Sequence, residues 1–137
     1  MLVDPPKRLV EEWRPGVLTA FRAGASTGAT ELCVIEQWCD PGTGAPPHAH
    51  PDAEEIIVVV DGTAEFTVDE ERAVLGAGRS IVLPRGSRHG FVNVGSERLH
   101  IWAVFSAAAP TVVYEDSAAT AYEIRPEGST FRVPRST

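Results

Sequence analysis

Glycine and proline cut this chain before any long helix can run. Twelve glycines and eleven prolines are spread along its 137 residues. A proline inside a helix costs about 3 kcal/mol, because it removes a hydrogen bond and clashes with the turn before it. Between these breakers lie short segments rich in Val, Ile, Phe and Trp, which suit a pleated, half-buried surface. Candidate strands cover 30–39, 45–50, 55–60, 64–68, 80–83, 89–94 and 98–105. Asp61-Gly62, between two apolar runs, is a tight-turn signal. The charged segment 69–71 reads as a hairpin tip, and 76–78 and 85–87 as further turns. This pattern predicts an all-β fold of antiparallel sheets, a sandwich or a small barrel. The segment 4–13 fits a short helix capped by Asp4, with Pro5 in its first turn, and equally an extended arm. The polar stretch 116–137 reads as a weakly structured tail or as a final strand laid across a neighbour.

A chain of this length is expected to fold as one domain over 1–137, with a barrel core at about 30–106, an N-terminal arm at 1–29 and a C-terminal tail at 107–137. Its net charge of -7, with no basic patch, argues against nucleic acid as a partner. No apolar run reaches the roughly 18 residues of a membrane span. Residues 1–16 do not resemble a signal peptide, so the expected location is the cytoplasm. Cys33 and Cys39 on one strand would stand about 20 Å apart, too far for a disulfide. They read as buried fillers.

Positions 56–60 are apolar without alternation, which predicts cover on both faces of that strand. One face can line the barrel. The other needs the chain's own arm or a second subunit. The apolar residues Val10, Trp13, Val17, Leu18 and Phe21 of the arm add to that need, and the expected assembly is a homodimer.

Chemistry concentrates on the histidines. His48 and His50 are spaced i, i+2, which on a strand puts both imidazoles on one face. Glu54 and Glu55 open the next apolar run and must point to opposite faces; spacing alone does not choose between them. His89 follows the turn at 84–88 and shares its face with Phe91 and Asn93, the only asparagine in the chain. Three imidazoles and one carboxylate are a candidate donor set for a first-row divalent ion.

The segment Gly42-x5-His48-x-His50-x4-Glu55-x6-Gly62 resembles the first signature motif of the cupin superfamily. Gly78-x5-Pro84-x-Gly86-x2-His89-x3-Asn93 resembles the second, and fifteen residues separate the two, as in small bacterial cupins. The resemblance implies a jelly-roll β-barrel, also called a double-stranded β-helix. It also implies a metal held by His48, His50, Glu55 and His89, which chooses Glu55 over Glu54. Gly62 and Gly86 are then turn residues with positive φ. An octahedral Fe, Mn, Ni or Co ion would keep two positions for water or ligand, and Zn could close the site tetrahedrally.

Ile57 and Val59, on the face of Glu55, and Phe91, on the face of His89, are candidate pocket walls. Strand 98–105 carries His100 and Trp102 on one face and Leu99, Ile101 and Ala103 on the other, and either set can line the pocket. Glu36 and Gln37 pose the same choice on strand 30–39. Trp13 and Trp38 read as packing residues. Arg85 and Arg88 flank the second motif, either as solvated loop charges or as forks for an anionic substrate.

Two functions fit these residues. One is a metal-dependent enzyme of oxygenase, isomerase or cyclase type acting on a small oxygen-containing organic molecule. The other is a non-catalytic, metal-dependent small-molecule binder or sensor. A storage-like cupin would not need an intact ligand set.

Overall fold

A computed structural model describes residues 2–3, 10–115, 121–124 and 130–133. The described residues form thirteen strands. They are β1 (Glu11–Arg14), β2 (Val17–Ala23), β3 (Cys33–Cys39), β4 (Gly44–Ala49), β5 (Glu55–Asp61), β6 (Thr63–Val68), β7 (Glu71–Gly76), β8 (Ser80–Leu83), β9 (His89–Asn93), β10 (Leu99–Phe105), β11 (Thr111–Tyr114), β12 (Ala121–Ile124) and β13 (Thr130–Val133). A single 3-10 turn, Ala25–Thr27, is the only helical element among them. One sheet runs β1-β2-β3-β10-β5-β8 and the other β13-β12-β11-β4-β9-β6-β7. Every pairing is antiparallel. The two sheets make a jelly-roll barrel, as the motif resemblance implies; the strand pattern alone predicts only antiparallel sheets in a sandwich or barrel.

All seven expected strands are present, with ends moved by a few residues. The expected arm and tail hold more order than their composition implied. Trp13 lies in β1, so no helix reaches the end of segment 4–13, and residues 4–9 are outside the described residues. β2 pairs along the length of β3. β11 pairs with β4 beside the histidines, and β12 and β13 extend that sheet. The charged segment 69–71 is the hairpin tip expected of it: residues 69 and 70 join β6 to β7, and Val68 pairs with Glu71 across the turn. Asp69 itself makes the turn, with φ 51. Gly62 and Gly86 have φ of 90° and 76°, a left-handed backbone that a Cβ would strain.

The core lies between the sheets and is built from alternate residues of each strand. Ile57 and Val59 of β5, Phe66 of β6, Leu83 of β8, Phe91 of β9 and Leu99, Ile101 and Phe105 of β10 are buried there. Cys33 and Cys39 cap the two ends of β3, buried and unpaired. Burial pushes both thiols up to about 12.

Within the described residues of the single chain, β5 is covered on one face only. Ile56, Val58 and Val60 point out of the barrel and are 39%, 37% and 42% exposed. The described part of the arm does not cover them. β1 and β2 stand at the other edge of the sheet, with β3 and β10 between.

Candidate metal centre

Four elements bring the donor side chains together. β4 carries His48, and the residue just beyond its end is His50. β5 opens with Glu55, and β9 opens with His89. His48 pairs directly with His89 across the β4–β9 ladder. Alternation along β5 turns Glu55 inward with Ile57 and Val59, while Glu54 is exposed. The four donor residues are 8%, 3%, 5% and 3% exposed in the order His48, His50, Glu55, His89. One ligand atom from each lies within 4.8 Å of all the others.

The rings are oriented from behind. His48 Nδ1–H donates to the Pro46 carbonyl at 2.7 Å, His50 Nδ1–H to Thr111 at 2.8 Å, and His89 Nδ1–H to Ser87 at 3.0 Å. With Nδ1 carrying the proton, each Nε2 presents a lone pair to the centre, which is how ligating imidazoles are held. Nε2 of His50 and His89 approach Glu55 Oε1 at 3.2 and 3.1 Å. All three atoms are buried without a hydrogen-bond partner. Lone pairs facing a carboxylate oxygen repel. They are satisfied either by a proton on a ring nitrogen or by a cation among them.

Electrostatics follow from the same geometry. Burial and the neighbouring His89 and His50 rings hold His48 down at about 3. Burial pushes the Glu55 carboxyl up, but the His50 and His89 rings outweigh it and hold the acid at about 2. Burial opposes a charge on His50, yet Glu55 prevails and raises its pKa. The donors therefore offer one firm negative charge and imidazoles set to coordinate. This chemistry suits a divalent transition ion.

Around the donors is a small cavity of about 40 Å³, lined by Ile57, Phe91, Phe105, Val112 and Ile35 and by the polar residues Gln37, Tyr114, Trp13 and Arg14. The candidate walls Ile57 and Phe91 are there. Val59 is not among them; it is fully buried in the core further along β5. His100 and Trp102 are corrected, since β10 buries Leu99, Ile101 and Ala103 instead. His100 lies on the outer face, stacked on Trp38 at 4.9 Å and bonded to Glu36 at 2.5 Å. Arg22 completes that outer cluster by pairing with Glu36. On β3 the choice falls to Gln37 as the inward residue, bonded to Thr19 at 3.0 Å. Arg88 is held by Glu115 through two bonds of 2.8 and 2.7 Å outside the cavity.

Sequence reasoning missed Arg14, Tyr114 and Val112, and it read Trp13 as packing alone. The available signal was the aromatic-basic pair Trp13-Arg14 just before Pro15-Gly16, which marks a turn beside two large side chains.

Residues 37–105 match the Cupin domain family. The chain is a cupin. It is 34% identical over 94 residues to the polyketide synthase CurC of Streptomyces cyaneus, covering 69% of this chain and 58% of that protein. It is 32% identical over 93 residues to protein SchB of Streptomyces halstedii, covering 68% of this chain and 64% of SchB. The cupin thus spans less than two thirds of either relative. Oxalate oxidase in complex with glycolate shares the fold, with a TM-score of 0.72 at 24% identity over 83% of this chain and 63% of that one. No helix among the described residues is long and apolar enough to cross a membrane.

Proposed function

We propose that this cupin holds one divalent transition ion (Fe, Mn, Ni, Co or Zn) on His48, His50, Glu55 and His89, and acts as an enzyme on a small oxygen-containing organic molecule. The observation that carries the reading is the set of Nε2 lone pairs converging on Glu55 with every Nδ1–H already engaged behind its ring. A bound ion would supply Lewis-acid polarisation of a substrate oxygen. The protein's own part is to fix the donors, keep the cavity narrow and largely apolar, and strengthen charge interactions there by excluding water. The relative named a polyketide synthase fits an oxygenated organic substrate.

The test is metal content after purification without chelator, then turnover by protein reconstituted with each of the five metals against small phenols, diketones and hydroxy acids. Product formation that depends on the metal supports the enzyme. Saturable binding with no product replaces it with a metal-dependent binding or sensing protein.

We further propose that the cupin is a cytoplasmic homodimer. Free buried thiols at Cys33 and Cys39 fit a reducing compartment. Ile56 of β5 pairs directly with Val82 of β8, itself 56% exposed, and with Val104 of β10, so an apolar strip crosses three strands. A second copy seated on this strip would bury it. Light scattering is expected to give twice the 14.7 kDa chain mass. Val58→Lys is expected to shift the protein to monomer with its metal content unchanged. A wild-type monomer at micromolar concentration would sink the idea.

A further inference from the structure

The mouth of the metal cavity carries hydrogen-bond donors that the four metal-binding side chains do not explain. They come from β1, outside the segment that matches the Cupin domain. The ladder between β1 and β2 slips between Glu12 and Arg14, leaving Trp13 bulged. Consecutive strand residues normally point to opposite faces, whereas a bulge re-aims one of them. Here both Trp13 and Arg14 line the cavity that contains His48, His50 and Glu55.

Arg14 is fixed in place. Its guanidinium donates to the Tyr114 hydroxyl at 2.6 Å and lies 4.9 Å from the centre of that ring. Tyr114 in turn packs 5.5 Å from the His48 ring, which ties the arginine to the donor cluster. Arg22, Arg72, Arg88 and Arg98 each sit beside a carboxylate. Among the described residues Arg14, like Arg79 and Arg85, pairs with none, and of these three Arg14 is the one that lines the inner cavity. Trp13 contributes a second donor: its indole N–H is buried with no partner. A buried donor left unpaired is costly and is rare in native structures. Arg14 also borders an outer groove of about 510 Å³, so it stands where a ligand would leave the inner cavity.

We propose that Arg14 and Trp13 form an anion-receiving subsite, and that the substrate is an acid with a carboxylate outside its metal-chelating end. The chelating oxygens face the ion. The distal carboxylate accepts from the Arg14 guanidinium and the Trp13 indole N–H, the paired geometry that arginine provides. This inference rests on the metal reading above and adds the substrate's charge and the residues that read it. Both recognition residues are specificity determinants, since they lie beyond the ion.

The test uses protein loaded with Co²⁺, whose visible spectrum reports ligands entering the site. Lactate and malate share an α-hydroxy-acid head, and only malate carries a second carboxylate. Wild-type protein is expected to bind malate about tenfold or more tighter than lactate, as a charge-assisted contact would give. Arg14→Gln is expected to bring that ratio close to one, Arg14→Lys to retain part of it, and Trp13→Phe to reduce it. The Co²⁺ spectrum of each variant without ligand checks that the donor cluster is intact. Equal affinities in the wild type, or an unchanged ratio in Arg14→Gln, overturn the subsite while leaving the metal reading standing. Failure of wild-type protein to take up Co²⁺ overturns the metal reading, and the subsite with it.

Discussion

His50→Ala and His89→Ala are each expected to lose metal while keeping the barrel. Both imidazoles are buried, and each presents an Nε2 to Glu55 that no other group satisfies. Changing a residue that only orients a metal ligand typically costs about 10–100-fold in affinity, so removing a ligand costs at least that. Metal analysis and a Co²⁺ titration measure the loss, and far-UV circular dichroism reports the strands. Full metal content in both variants would mean that the ion is elsewhere.

The same centre sets a pH dependence. Metal and proton compete for Nε2, so uptake releases protons. Glu55, at about 2, stays ionised, and His48, at about 3, stays neutral across the working range. His50 is held protonated more firmly than a free imidazole, because Glu55 raises its pKa above the ordinary value of 6.5. Above that raised pKa the ring is neutral and metal binds fully. Below it, apparent affinity falls by about tenfold per pH unit for each proton displaced. Titrations at a series of pH values therefore show affinity declining already near neutral pH. A flat profile down to pH 5 would contradict this assignment.

Asn93→Ala carries the largest expected cost to stability. This asparagine is 1% exposed and serves three backbone groups at the end of β9. Its Nδ2 donates to the Cys39 carbonyl at 2.9 Å and to the Glu97 carbonyl at 2.8 Å, and its Oδ1 accepts from the Gly95 N–H at 2.9 Å. Alanine strands all three. At about 1–3 kcal/mol for each buried group left unpaired, the variant loses on the order of 3 kcal/mol or more. The melting temperature drops on the order of 10 °C. Asn93→Asp is expected to be no better, because a carboxylate accepts from Gly95 but cannot donate to either carbonyl. Thermal melts followed by circular dichroism measure both variants. A drop of only about 2 °C would show that the backbone groups find other partners.

Much of this protein is determined by short-range rules acting on the sequence. Glycine and proline placement set short strands, and the two-residue period put His48 with His50 and His89 with Phe91 and Asn93 on single faces. Gly62 and Gly86 occupy turns that only a positive φ can close. The four donors were legible for these local reasons together with the resemblance to cupin motifs. Tertiary structure alone decided what alternation leaves open. A period of two separates the faces of β10 and β3 but does not say which faces inward. Packing against the opposite sheet buried Ile101 over His100, and on β3 it is Gln37, on the face of Ile35, that lines the cavity, while Glu36 is buried outside it. β2 and β11 escaped prediction because their ladders run to partners elsewhere in the chain, β2 to β3 and Tyr114 of β11 to His48. The bulge at Trp13 depends on the register of β1 against β2, which no local pattern records. Local chemistry thus determined which residues can bind a metal, and long-range pairing decided what stands over it.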